Sequence, residues 1–161
     1  MANYTGADVI TTSDVLKYQP DAFDFGISTT ATETVNFLAQ TTNDILRNLR
    51  IEWWPVYKTN IFTDITVLNT AEMVNTKVNL DQFERAGVYL FLGRFYLPAL
   101  TKFRPETEKD RFERMAEYYM AQYNIEWRMI LEDGVEYDTD GSGTIVTNER
   151  EPLHGFRRLT R

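Results

Sequence analysis

Residues 83–97, FERAGVYLFLGRFYL, constrain the fold more than any other stretch. Apolar side chains recur on nearly every side of the helix that this segment would form. A helix of that kind has to be covered all round, so the rest of the chain must wrap it. Asp81 and Glu84 supply a D-x-x-E capping box at its start. Gly87 and Gly93 would let neighbouring elements approach closely, and Pro98 should end or kink it.

The wrapping elements are legible from periodicity. The longest runs from about Pro105 to Asp133. Phe112, Met115, Ala116, Tyr119, Tyr123, Trp127, Ile130 and Leu131 form one stripe, and Lys109, Arg111, Glu113 and Glu117 lie on the other face. Pro105 suits the first helical position, with Glu106 and Glu108 at the positive end of the dipole, and Gly134 closes the helix. A second helix spans about Ala31–Trp54, with Val35, Leu38, Thr42, Ile45, Leu46, Leu49 and Trp53 at helical spacing. Thr29 or Thr30 can cap it, Glu33 making a capping box with Thr30, and Pro55 closes it. A short helix, SDVLKYQ, is capped by Thr12 or Ser13 and stopped by Pro20. Residues 1–10 form a loose arm.

Residues 56–80 break this pattern. They are rich in Val, Ile, Thr and Asn, they partly alternate, and they lack a turn dipeptide. They read as an extended or irregular β arm. A connection that long is often functional. The expected architecture is mainly α: a single domain over 1–161, a bundle of about four helices, an extended central arm at 56–80 and an extended C-terminal tail at 144–161.

Composition narrows the function. The 161 residues are 43% hydrophobic and 14% aromatic, too apolar for a disordered chain. A net charge of −7 argues against free-standing nucleic-acid binding. With no cysteine there are no disulfides and no thiolate sites. The N-terminus is polar rather than a signal sequence, and no apolar run reaches the length of a membrane span. His154 is the single histidine and reads as a solvated tail residue, and the acids Glu132 and Asp133 read as a solvated helix end. No phosphate loop, zinc-protease or nucleophile-elbow motif occurs. The chain is therefore expected to be non-enzymatic.

Residues 138–149, DTDGSGTIVTNE, carry the one metal-like pattern. They match the calcium loop D-x-[DN]-x-[DN]-G-x5-E with Asp138, Asp140 and Ser142 at positions 1, 3 and 5, Gly143 at position 6, the Thr144 carbonyl at 7 and Glu149 at 12. The flanks argue against an EF-hand. Gly134 ends the incoming helix, while Pro152 and Gly155 spoil an outgoing one, and only one such loop is present. The plainer reading is a Gly-rich acidic turn that feeds the β-like run TIVT and folds without calcium. No cofactor is expected beyond that ion.

Two further features point to partners. Trp53 and Trp54 are adjacent on a helix and cannot both face one core, so Trp54 either meets a partner or packs with Trp53 under the following loop. From Glu149 onward the chain holds four Arg against two Glu. Arg150, Phe156, Arg157, Arg158, Leu159 and Arg161 give this tail both charge and apolar anchors.

Taken together, ITTSDVLKYQPDAFDFG at the start, the helix–arm–buried helix–long aromatic helix order, and GVEYDTDGSGTI followed by FRRLTR at the end resemble the head–tail adaptor proteins of tailed bacteriophages, also called connector or head-completion proteins. The resemblance covers most of the chain and is one of layout. It implies a homo-oligomeric ring of about twelve subunits in the virion, at the head–tail junction, assembled from subunits in the host cytoplasm. Its partners would be the portal protein above and the next neck or tail-completion protein below. DNA would pass through without specific binding, as an acidic wall would favour, and no membrane would be involved. The alternative is a single EF-hand-like calcium-binding module.

Overall fold

The computed structural model describes residues 8–101, 110–146 and 149–151, and the protein is mainly helical. The chain divides into two compact units, and the division falls inside two of its helices.

The first unit holds residues 8–45 and 83–127. Helix α1, Thr12–Tyr18, is capped by Thr11 rather than Thr12 or Ser13: the Thr11 hydroxyl accepts from the Asp14 N–H, and the Asp14 carboxylate accepts from the Thr11 N–H. Just before it, Val9 and Ile10 are buried, so residues 8–10 are core and not a loose arm. The Val9 N–H donates to the Thr42 hydroxyl at 2.9 Å. Residues 1–7 lie outside the described residues. Helix α2, Thr32–Asn48, presents Leu38, Thr42 and Ile45 to the core as the spacing predicts, but Val35 is 53% exposed and Thr34 takes the inside position. The Thr34 hydroxyl donates to the Ser28 carbonyl at 2.9 Å, so burial leaves that group satisfied.

The apolar segment is the centre of this unit. Helix α5, Glu84–Leu90, opens after a 3-10 turn at Leu80–Phe83 and continues through a π-helical stretch, Phe91–Tyr96, into α6, Leu97–Leu100. Every residue from Ala86 to Gly93 is buried. Both glycines sit where a neighbour comes close. A Cβ at Gly87 would lie 2.9 Å from Ile10 Cγ2, and one at Gly93 would lie 2.9 Å from the Met120 backbone nitrogen and 3.0 Å from the Ala116 carbonyl. Met120 and Ala116 belong to α7, Arg111–Asp133, whose 23 residues span about 35 Å. Its stripe is buried at Ala116, Tyr119, Tyr123, Trp127 and Leu131. Residues 102–109, and with them the expected start at Pro105, Glu106 and Glu108, lie outside the described residues.

The second unit holds residues 46–82 and 128–151 within the described chain. Here the helical path does not stop at Pro55. A π-helical turn at Leu49–Trp53 leads into α3, Trp54–Ile61, with Pro55 in its first turn. Proline at that point lacks only a donor that the widened turn does not need, so the helix passes it. The same device precedes Pro98 in α6.

The expected extended arm is likewise corrected. Residues 56–80 contain the rest of α3, then α4, Ile65–Thr70, and a 3-10 turn, Asn75–Lys77. A side-chain cap opens α4 despite the β-prone composition, and the threonine hydroxyls of these helices are satisfied within them. Asp64 caps α4 by accepting the Thr66 N–H at 2.8 Å, and the Thr59 and Thr70 hydroxyls bond back to carbonyls one turn earlier, those of Pro55 and Thr66.

Gly134 ends α7 with φ +104°. The chain then forms β1, Val135–Glu136, which pairs antiparallel with β2, Arg150–Glu151. The outgoing strand is thus at 150–151, while residues 144–146 of the TIVT run are not strand. Next to β1, Tyr137 makes an antiparallel bridge with Val78. Trp53, Trp54, Tyr57 and Tyr137 cluster with ring centroids 4.5–6.0 Å apart.

Candidate metal centre

The loop between β1 and β2 is organised by two buried carboxylates. Asp138 is only 1% exposed, although it follows a strand and opens a loop. Its own N–H donates to the Lys77 carbonyl at 2.8 Å, which ties the start of the loop to the 77–79 segment. One oxygen, Oδ1, accepts from the Gly141 and Ser142 N–H groups at 2.8 and 3.1 Å, and Oδ2 accepts from the Gly143 N–H at 2.9 Å. The chain curls around this carboxylate because Gly141 and Gly143 adopt φ of +75° and +79°, which glycine reaches without a Cβ clash.

Glu149 closes the loop from the other end. It is buried, and its Oε1 accepts from the Thr139 and Asp140 N–H groups while Oε2 accepts from the Val146 N–H. Asp140 is exposed and accepts from the Ser142 N–H at 2.8 Å. One oxygen from each of Asp138, Asp140 and Glu149 lies within 4.8 Å of the others. The sequence pattern therefore does bring these three together, and the acidic cluster, two of its three carboxylates buried, could hold a metal ion. All its donors are oxygens, which suits a hard cation such as calcium or magnesium rather than zinc. The other two donors of the pattern face each other: the Ser142 hydroxyl donates to the Thr144 carbonyl at 3.1 Å.

The surroundings differ from an EF-hand. The described chain enters and leaves the loop on paired strands, and Glu149 stands in 3-10 conformation, its N–H donating to the Val146 carbonyl at 2.9 Å, directly before β2. Lys77 extends its ammonium to the Thr139 carbonyl at 3.1 Å, placing a positive charge at the rim. The Tyr57 hydroxyl lies 2.6 Å from the Thr139 hydroxyl, which links the loop to the aromatic cluster. Burial pushes the Tyr137 phenol above its usual range, and the Val74 N–H bonded to its oxygen opposes that shift.

The remaining candidate residues fare differently. Trp54 is 7% exposed, with its indole N–H donating to the Ala71 carbonyl at 3.3 Å; it packs with Trp53 and is not offered to a partner. Arg150 is in β2 and pairs with Glu136 at 3.1 Å, so it belongs to the folded body and not to a free tail. Its ionic partner also accepts from the Asn79 amide at 2.6 Å. Phe156, Arg157, Arg158, Leu159, Arg161 and His154 lie outside the described residues.

Reading the sequence missed Lys77, Tyr57 and Asn79. Each reaches the loop or its strand from more than fifty positions away, and no local pattern marks such a contact. The chain matches no family model, no curated protein and no solved structure.

Proposed function

We propose that the protein is a non-enzymatic structural subunit of a tailed-phage virion, forming a ring under the portal that joins the head to the neck and tail and extends the DNA channel. One observation carries this reading. Over residues 51–74 the second unit leaves Ile51, Val56, Ile65, Val67 and Val74 between 38% and 66% exposed, and α4 buries none of its own residues. A six-residue helix that contributes nothing to its own core is suited to contacts with other subunits.

The residues beyond β2, with Phe156, Arg157, Arg158, Leu159 and Arg161, would anchor the subunit on the portal. Repetition around the ring would multiply a weak individual contact. Mass photometry with and without the portal protein tests the reading: ring-sized complexes should form with it. Deleting residues 153–161 should leave the subunit folded and abolish recruitment to portal-containing capsids. If the full-length chain forms no complex with the portal, the adaptor reading fails.

A second reading is supported by the acidic cluster: a loop that binds calcium. Seven hydrogen bonds from backbone N–H groups already engage the three carboxylates, so the loop is expected to fold without the ion and to bind calcium no more tightly than about 10⁻⁴ M. Titration calorimetry measures this directly, and terbium luminescence sensitised by Tyr137 and the neighbouring tryptophans gives an independent signal. A micromolar site removed by Glu149→Gln would favour the calcium module.

A further inference from the structure

The solvent face of α7 has a charge order that its own helix does not explain. Tyr118, Ile125 and Met129 are 60%, 51% and 51% exposed, and their spacing of seven and four places them on one side of a single continuous helix. Gln122 lies between them on that side. The same side carries Arg111 and Arg114 at the N-terminal end and Glu132 at the C-terminal end, with Asp133 beside it; all four are exposed, and the Arg111 guanidinium also lies over the Phe25 ring, 5.4 Å from its centroid. This order opposes the helix dipole, which favours acids at the start and bases at the end, and the last turn holds no basic residue. The arrangement is, however, complementary to itself when reversed.

We propose that this face is a homodimer interface on which a second copy of α7 packs antiparallel. Setting 111 and 114 against 133 and 132 of the other copy places the two-fold axis near Gln122. Each Arg pair then meets an acidic pair, while Tyr118, Ile125 and Met129 pack along the seam. A parallel pairing would set Arg against Arg and acid against acid, so the charges select the orientation and the apolar residues supply the burial. The contact is isologous, as a two-fold dimer requires. One helix face per subunit makes a small interface, so the expected dissociation constant is about 10⁻⁶–10⁻⁵ M. The inference does not depend on the adaptor reading: the dimer is a state of the free chain, and since a two-fold contact inverts one subunit against the other, it has to part before a ring with the portal on one side and the neck on the other can form.

Sedimentation equilibrium of the full chain, from 1 to 200 µM and without portal protein, tests it. A monomer–dimer equilibrium should appear and weaken as salt rises. Ile125→Asp should weaken dimerisation at least about 30-fold, with circular dichroism confirming that the monomer remains helical. Reversing Arg111 and Arg114 to Glu should also weaken it, as should reversing Glu132 and Asp133 to Arg. Combining all four reversals should restore the dimer, because each copy again meets its complement. A chain that stays monomeric to 200 µM, a species larger than a dimer, a dimer indifferent to Ile125→Asp, or a four-fold reversal that fails to rescue would each overturn the proposal.

Discussion

The acidic loop at 138–149 and the segment at 62–77, with its short helical turns, belong to the same unit, yet they are held in opposite ways. The loop is closed by polar groups: two buried carboxylates gather the backbone N–H groups around them. The segment is pinned toward its C-terminal end, by the bond from the Trp54 indole to Ala71, by buried Met73 and by the bonds of Val74 and Lys77 to Tyr137 and Thr139, and it turns Ile65, Val67 and Val74 outward. A loop that satisfies its own donors needs no partner to be stable. A segment that exposes its apolar residues gains by being covered, which is why the proposed assembly is assigned to it and not to the loop.

The largest effect on this contrast should come from the anchor of the segment. Trp54→Ala removes a buried indole and should cost about 3–5 kcal/mol in urea unfolding. A loss below about 1 kcal/mol would show that the segment is held elsewhere. Next comes the loop. Asp138→Ala deletes an acceptor for three backbone donors and should cost about 3 kcal/mol, whereas Asp140→Ala, at an exposed carboxylate with one such bond, should stay within about 0.5 kcal/mol. Equal effects at the two positions would mean that burial does not organise the loop.

Smaller still is Ile65→Ser. The isolated subunit should change by no more than about 0.5 kcal/mol, while association with the portal should fall. Clear destabilisation of the subunit alone would mean that the chain covers this face itself.

The smallest effect is a pH dependence. Bonds from the Thr66 hydroxyl and the Thr66 N–H hold the Asp64 carboxyl below its ordinary 3.8. A lowered folded-state pKa means that the contribution is present above 3.8 and is lost as pH falls through the lower folded value. An NMR titration of the Asp64 carboxylate should give a midpoint below 3.8, and a midpoint at or above it would remove this cap as a support of α4.

Much of the fold was legible in the sequence because it follows from local spacing. The all-apolar run at 83–97 had to be central, the stripe from Ala116 to Leu131 had to face inward, and the close-approach roles of Gly87 and Gly93 follow from what a Cβ would strike. The pattern at 138–149 also correctly grouped Asp138, Asp140 and Glu149. The errors lie where short-range preference competed with something else. Residues 56–80 are β-prone in composition, but the Asp64 cap opens a short helix there. Pro55 reads as a stop until a π-helical turn absorbs it.

What the sequence determined by itself was therefore periodic: which long helices exist, the main faces they bury, and which acids recur at ligand spacing. Only the tertiary structure decided that Trp54 is buried rather than offered to a partner, that Arg150 pairs with Glu136, and that Lys77 and Tyr57 reach the acidic loop. The reason is physical. Helical and turn preferences act over a few residues and leave a repeating trace in the chain. A contact between residues 57 and 139 depends on how separate elements pack, and nothing in the local sequence encodes it.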